Sequence, residues 1–591
     1  MTVFHTVSQA VAEVGELCPH SGYVFQDMKG VETRYSYREV ESLTAARAAG
    51  MARLGLRKGD RVGLVVIEPE DFVLSFLAAL RLGVIPVPLY PPLSFGALDA
   101  YADRTRRVLE LSQARVIFAS ESLQNVLWHL VDKVATLERL VTVETLRAAT
   151  GRPAFPTITP DDIAFLQYTS GSTADPKGVI VTHANLIANC TAIIRQGLRK
   201  EMGQGVAVSW LPLYHDMGLI GFVISTILHG KTSVFIPTMR FIKKPSVWMD
   251  AIHRHRGTVS FAPNFAYALI TRKATDAELA SWDLSCMEAF GCGAEPIQAD
   301  TARQFIERFS GKARMRPQAF LPAYGMAEAT LAISFKPLPD LVRFRPVDAA
   351  TFQESGNAAA PIEGQPFLEH VSCGPCFKDH EVGAFDDQGN RLPDGQEGEL
   401  WLRGASVTPG YYNNPDATAA AFSGPWLRTG DLGYLVDGEV YVTGRLKDLI
   451  ILNGRNVHPQ AVEWVAGEVE GVRQGNVVAF SRPGKESEEL VVVLETRAQS
   501  PEERERIKAE VGKRVRSEIG VPPVDVVCLE PGSLPKTSSG KLQRRKTRSQ
   551  YLSGELGAEG TRTMGASGDA VTVARHVARS IWTRAKAAVF G

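Results

Sequence analysis

The chain has 591 residues, 45% of them hydrophobic, and its 65 Lys plus Arg balance 65 Asp plus Glu to a formal net charge of zero. That length calls for a large body plus at least one further unit, and zero net charge excludes a global field for nucleic acid or a membrane surface, so any charged partner is met by a local patch. Seven cysteines in so long a chain build no disulfide framework. The start, Met1 to Ser8, has neither a basic segment nor a long apolar one, and the apolar run Leu219 to Leu228 is shorter than the about 20 residues a membrane span needs. The expectation is a cytoplasmic protein with no integral membrane segment and no nucleic-acid partner.

Taken in chain order, the first part alternates strands and helices. Arg61 to Ile67 suits a buried strand, Glu70 to Leu82 has a helical pattern, and Val84 to Leu89 resumes as strand. The same alternation recurs at Ala114 to Ala119, at Thr258 to Ala262 before a helical Phe265 to Ile270, and at Met287 to Phe290 before Ile297 to Phe309. Ligands of such open sheets sit at the loops leaving the strand ends. The loops after Leu166, at Gly291 to Glu295 and at Tyr324 are such places.

The loop after the strand-like Ile163 to Leu166 is Thr169-Ser170-Gly171-Ser172-Thr173-Ala-Asp-Pro-Lys177-Gly178, which runs into Val179 to Val181. Its glycines admit backbone N–H groups to an anion, its hydroxyls donate to oxygens and Lys177 adds a point charge: phosphate-cradle chemistry. It is not a Walker A loop, because Lys177 follows Pro176 and precedes a glycine.

Short strands with glycine turns, from Gly398–Arg403 to Glu439–Val442, predict a β-rich subdomain over about 340–446. Cys373-Gly-Pro-Cys376 has redox-motif spacing, but the following residues lack a helical stripe, so an extended, inert segment is expected. His380 stands alone, with no finger-like ligand pair to make a zinc site. Beyond Asp448 come a strand at Leu449–Leu452, a helix from Pro459, strands at Gly475–Phe480 and Leu490–Glu495 and a helix opened by Pro501. The organisation expected is therefore α/β: residues 1–446 as stacked α/β subdomains plus the β-rich one, a small α+β domain over 447–552, and a Gly- and Ala-rich tail over 553–591 with a helix from Ala570.

Five motifs follow one another in a familiar order: the Tyr168–Gly178 loop, Ala323-Tyr324-Gly325-Met326-Ala327-Glu328, Arg428-Thr-Gly-Asp431, Thr443-Gly-Arg445-Leu-Lys447-Asp448 and Pro535-Lys-Thr-Ser-Ser-Gly-Lys541. Together they make the chain resemble, over most of its length, the adenylate-forming enzymes: acyl-CoA synthetases, peptide-synthetase adenylation domains and fatty acyl-AMP ligases. The run Trp210 to Ile220 and the Ala-Glu-Ala-Thr ending of the Tyr324 motif look most like the fatty acyl-AMP ligases. The resemblance implies activation of a fatty acid by ATP with Mg2+, giving acyl-adenylate and pyrophosphate. The acyl group then passes to the phosphopantetheine arm of an acyl carrier protein or a polyketide synthase carrier domain. A fatty acyl-CoA ligase is the alternative reading, and a catalytically silent ligand-binding relative the third.

By the same resemblance Lys541 is the catalytic cation, reaching the α-phosphate and the substrate carboxylate, and Thr169, Ser170, Gly171, Ser172, Thr173 and Lys177 hold the β- and γ-phosphates. Glu328 contacts the metal. Tyr324 stacks on adenine beside Gly293, Ala294, Gly325 and Met326, Asp431 takes the ribose hydroxyls with Arg445 behind it, and Lys447 is the hinge of a mobile C-terminal domain. Many relatives have threonine at Ala327, so a hydroxyl contact from there is missing. His215, by the channel mouth, is the second catalytic candidate, expected near the α-phosphate or the carboxylate, and Asp216, Met217, Gly218, Ile220 and Phe222, with Leu219 and Val223, are candidates for the acyl wall. The stretch Asp348 to Pro366 looks like the insertion that hinders domain rotation toward coenzyme A in this subfamily. Between residues 536 and 548 lie six cations and no acid, of which Arg544, Arg545 and Lys546 are expected to steer an acidic carrier.

Overall fold

The computed structural model describes residues 4–92, 98–169, 176–452, 455–484, 488–537 and 540–557. Four parallel strands form the first sheet, in the order Ile85–Pro88, Arg61–Val65, Val116–Ala119, Arg139–Thr142. The helix joining the first pair, Pro69–Leu82, opens with proline in its first turn and stops at Gly83 in the left-handed region, φ 69°. Nearly every residue from Asp71 onward is buried, so this is a core helix rather than an amphipathic cover.

The second sheet positions the site. Its eight strands run in the order Ala332–Phe335, Phe320–Gly325, Ala289–Cys292, Val259–Ala262, Val206–Ser209, Thr232–Phe235, Gly22–Gln26, Glu32–Ser36, parallel except for the outermost pair at each end. The loops after these six parallel strands therefore leave one common edge, where open α/β sheets bind ligands.

The cradle is built differently from the expected sheet-end loop. Ile163–Thr169 and Lys177–Thr182 pair with each other as an antiparallel ribbon, with Thr169 opposite Lys177 and Tyr168 opposite Gly178. The connection is too short for a parallel crossover, which takes a dozen or more residues. Gly178 is required by contact: a Cβ there would lie 2.6 Å from the Tyr168 ring.

The β-rich part is a seven-stranded antiparallel sheet that includes Phe367–Pro375, Glu439–Arg445, Trp426–Val436 and Gly398–Gly404. Cys373 lies in an extended strand, as expected, and burial pushes its thiol up to about 12 and that of Cys376 to about 11, the reverse of a redox centre. Within the 348–366 stretch, Ala349–Ser355 folds into a helix. The Asp348 carboxylate accepts from the Thr351 N–H at 2.8 Å and Gly356, φ 70°, ends it.

The last unit joins the ribbon Ile450–Leu452/Arg455–Val457 to a three-stranded sheet of Val472–Pro483, Glu488–Thr496 and Asp525–Leu529. Helices Pro459–Gly467 and Pro501–Ile519 cover it around a core of its own that includes Val462, Val477, Val492 and Val511. A helix not foreseen, Arg544–Leu552, follows Lys541. Its six N-terminal residues are all polar or cationic, so no apolar stripe announces it. The helix expected from Ala570 lies outside the described residues.

Helix His183–Thr191 ties the chain's first helix, Val7–Leu17, to the body. The Val7 N–H donates to His183 Nδ1 at 3.2 Å, and burial depresses the imidazole to about 4. A histidine with a folded value below its unfolded one contributes stability that is complete above about 6.5 and is lost as pH falls toward 4. Denaturant unfolding is expected to show stability falling through that window, with His183→Asn removing roughly 3 kcal/mol of the pH-dependent change. An unchanged pH slope in the variant would contradict the assignment.

Candidate active site

Strand pairing sets the first cluster. Asp431 and Arg445 are direct partners across the Trp426–Val436 and Glu439–Arg445 pair, and Arg445 Nε lies 3.0 Å from Asp431 Oδ1. From the other sheet, Tyr324 donates its hydroxyl to Asp431 Oδ2 at 2.9 Å. Burial, then the Asp431 charge, holds the Tyr324 phenol well above its ordinary range. The turn beyond Tyr324 admits little variation: a Cβ on Gly325 would lie 1.9 Å from the Leu331 carbonyl oxygen. Thr330 is held at φ 67°, its hydroxyl donating to the Ser406 carbonyl at 2.6 Å.

Lys541 enters the same cavity from the C-terminal unit. Its loop is closed by Thr537 N–H to the Lys541 carbonyl at 2.7 Å and Lys541 N–H to Thr537 Oγ1 at 3.0 Å, with Gly540 turning at φ 87°. Burial lowers the ammonium's pKa, against the pull of Asp216 and Glu295. Asp216 in turn stays below the ordinary carboxylate range. Burial would raise it, but His215, whose Nδ1 is 2.5 Å from Asp216 Oδ1, and Lys541 outweigh that.

Glu295 was not among the expected site residues. Burial raises its pKa in spite of Lys541, and its Oε1 accepts from the Phe265 N–H at 3.1 Å. It follows Ala294, which lines the cavity beside Gly293 at φ 70°. The signal available was a small-residue loop ending in an acid directly after a buried strand.

Thr169 and Lys177 line the cavity from the ribbon; Ser170, Gly171, Ser172 and Thr173 lie outside the described residues. Lys177 Nζ stands 4.9 Å over the Tyr411 ring, and Tyr411 donates its hydroxyl to Glu328 Oε1 at 2.8 Å. Tyr411, also unforeseen, thus links the cradle cation to the candidate metal carboxylate. Among the described residues no cluster of three or more His, Cys, Asp or Glu could hold a metal alone. One carboxylate fits Mg2+, which keeps waters and takes phosphates as ligands.

Behind His215 the chain continues as one buried helical run from Asp216 to Leu228, with a wide π-turn over Leu219–Ile224. Of the candidates for the acyl wall, Asp216, Met217 and Phe222 line the cavity, together with Gly221. Gly218 and Ile220 do not, and neither do Leu219 and Val223. A Cβ on Gly218 would lie 2.3 Å from the Pro212 carbonyl oxygen, and the other three are fully buried in the main core. Positions four and five apart share the channel face and those between turn inward. Nucleotide-side and acyl-side residues line a single cavity of about 2730 Å³.

One cation of the basic run is committed elsewhere. Arg544 is largely buried, with Glu463 at 2.8 Å and Asp448 at 2.7 Å, so it holds the C-terminal unit together and does not steer a carrier. Arg545 and Lys546 are exposed at the cavity rim.

The AMP-binding enzyme family model matches residues 19–412, and the AMP-binding enzyme C-terminal domain matches 454–546. A Caulobacter vibrioides protein provisionally named an acyl-CoA synthetase is 35% identical over 560 residues, covering 94% of this chain and 96% of that one. A long-chain-fatty-acid–AMP ligase of Mycobacterium bovis is 34% identical over 570 residues, covering 89% and 93%. A solved structure from a study of fatty acyl-adenylate ligases of E. coli and L. pneumophila superposes with a TM-score of 0.88 at 33% identity, covering 94% of this chain and 99% of that chain. With both family models in place and the motifs gathered around one cavity, the chain belongs to the AMP-binding enzyme family and is an adenylate-forming ligase.

Proposed function

We propose that the protein activates a fatty acid with ATP and Mg2+ and hands the acyl group to the phosphopantetheine arm of a carrier protein. The observation that carries this reading is the meeting of Lys541, the Tyr324–Asp431–Arg445 cluster and the Met217–Phe222 face in one cavity. A carboxylate is a poor acyl donor because its leaving group would be oxide. Its oxygen attacks the α-phosphorus of ATP, the bond to the bridging oxygen breaks and pyrophosphate departs, leaving a mixed anhydride. Such a displacement is governed by positioning and by charge on the phosphate oxygens.

Lys541 would meet the α-phosphate and the incoming carboxylate, and Thr169 and Lys177 the outer phosphates. Glu328, oriented by Tyr411, would hold Mg2+, which neutralises phosphate charge when bound. Asp431, fixed on both oxygens, would accept from the ribose hydroxyls beside the Tyr324 ring. In this reading residues 1–446 bind and 447–552 close over them, turning about Lys447.

The acceptor is argued from the 348–366 stretch. Phe352 packs 5.9 Å, ring to ring, from His458 of the C-terminal unit, and Gln353 Nε2 donates to the Ile519 carbonyl at 3.2 Å. These contacts clasp the unit in the orientation that inserts Lys541 and oppose the rotation a coenzyme A reaction would use. Incubation with ATP, a fatty acid and either coenzyme A or carrier protein bearing its phosphopantetheine arm tests this. Acyl-carrier is expected and little acyl-CoA; the double change Phe352→Ala, Gln353→Ala should keep adenylation within about twofold and release some acyl-CoA. Efficient acyl-CoA formation by the wild type would favour the reading the Caulobacter relative's name suggests.

The nucleotide side gives a separate expectation. Tyr324→Phe removes the hydrogen bond that fixes Asp431, worth about 1.5 kcal/mol or more for a charged acceptor, so KM for ATP should rise roughly tenfold with kcat nearly kept. An unchanged KM would remove Asp431 from ribose binding.

A further inference from the structure

The cavity has a second polar end. At the edge of the eight-stranded sheet opposite the nucleotide-side loops it meets Gly205, Lys231 and Thr258, the residues just before the Val206–Ser209, Thr232–Phe235 and Val259–Ala262 strands. Between the two ends the wall is apolar and includes Met217, Phe222, Phe261 and Val259.

Lys231 is only 5% exposed, yet it forms no ion pair among the described residues. Its Nζ donates to the Gln204 carbonyl, and its other two donors meet no acceptor among the described residues. The nearby Lys200 and Glu288 satisfy each other at 2.6 Å. Burial and the Lys200 charge depress the amine to about 8. The space before it is kept open: Gly205 sits at φ 88°, where a Cβ would come within 2.6 Å of Thr258 Oγ1 and 3.9 Å of Lys231 Nζ. The lysine is also held in place, because Tyr37 donates its hydroxyl to the Lys231 carbonyl at 2.5 Å. Glu288 lies near enough to favour the Lys231 charge but is already paired with Lys200; a buried ammonium with so little compensation costs several kcal/mol, and an apolar residue would close an apolar channel without that cost.

We propose that Lys231, with Thr258 beside it, is a subsite for the far end of the acyl chain and that it takes a carboxylate, making the preferred substrate an α,ω-dicarboxylic acid. The inference rests on the adenylation reading above. It places an anion opposite each of the two lysines: one carboxylate goes to Lys541 for reaction and the other to the buried Lys231 for selection. The strand between the two ends, Gly205 to Trp210, rises about 17 Å, so only a medium or long chain bridges them.

The test compares pyrophosphate release from ATP with monocarboxylic, ω-hydroxy and α,ω-dicarboxylic acids of eight to eighteen carbons. At the length that spans the channel, the dicarboxylic acid should exceed its monocarboxylic match at least tenfold in kcat/KM and lose that advantage when shortened. Lys231→Met should abolish the advantage while leaving monocarboxylic acids at or above wild-type rates. Should the variant not fold, the wild-type series decides alone. A monocarboxylic preference at every length, a preference confined to ω-hydroxy acids, or an equal loss for all acids in Lys231→Met would overturn the subsite while sparing the adenylation reading. If no acid releases pyrophosphate, thermal shift with the dicarboxylic acid alone separates the two: stabilisation lost in Lys231→Met keeps the subsite, and no shift overturns it.

Discussion

Everything in this cleft depends on a lysine charge brought into a place where water is scarce. Lys541 belongs to the small C-terminal unit, but the carboxylates that favour its protonation, Asp216 and Glu295, belong to the body. Removing an ammonium from water costs several kcal/mol, and flanking acids offset part of that. The arrangement therefore couples domain position to charge. In this position the lysine feels the charge of both acids while burial depresses its pKa; in the proposed reaction the ATP α-phosphate would become its partner. Asp216 is itself held by His215, so charges of opposite sign alternate along the cleft from His215 through Asp216 to Lys541.

The sheet gives that cleft its length. Six parallel strands present their ends to the nucleotide side, and three of them, followed backward, reach Gly205, Lys231 and Thr258. A channel laid across a parallel sheet has two chemically distinct mouths. Here each holds a lysine, Lys541 partly exposed and Lys231 buried, while the helical run from Asp216 to Leu228 supplies the apolar wall between them. π-turns such as the one in that run are frequent at functional sites. Gly221 in the turn leaves only the Leu331 side chain, 3.7 Å from where a Cβ would stand.

Much of this was legible in the residues. The alternation of short β-branched runs with helical stripes located the parallel strands, and the fixed order of five motifs identified the family, because each motif holds a group that phosphate chemistry requires. Contacts between distant segments were harder to read. Glu295 reads as a loop acid until the fold brings Lys541 to it. Tyr411 reads as a turn tyrosine until its hydroxyl meets Glu328. Gly218 and Ile220 looked like channel residues because an apolar run does not disclose which of its faces is buried; only packing decides. Arg544 looked like surface charge in a basic run, and Glu463, eighty-one residues earlier, makes it structural. Lys231 was hidden for the opposite reason: a lysine before a strand is ordinarily a solvated residue, and its burial is a property of the tertiary fold.

The central claim, that the inserted Lys541 cation carries the adenylation step, is tested most directly by pyrophosphate release in Lys541→Ala beside a measurement of ATP affinity. The account predicts a fall of about 100-fold or more in release with affinity nearly kept, the scale of losing a donor to a developing oxyanion. It also predicts that wild-type activity is lost on the alkaline side at a pH below the 10.5 of an ordinary lysine, since burial lowers the pKa and the cation is the active form. Release near the wild-type rate in the variant would contradict it.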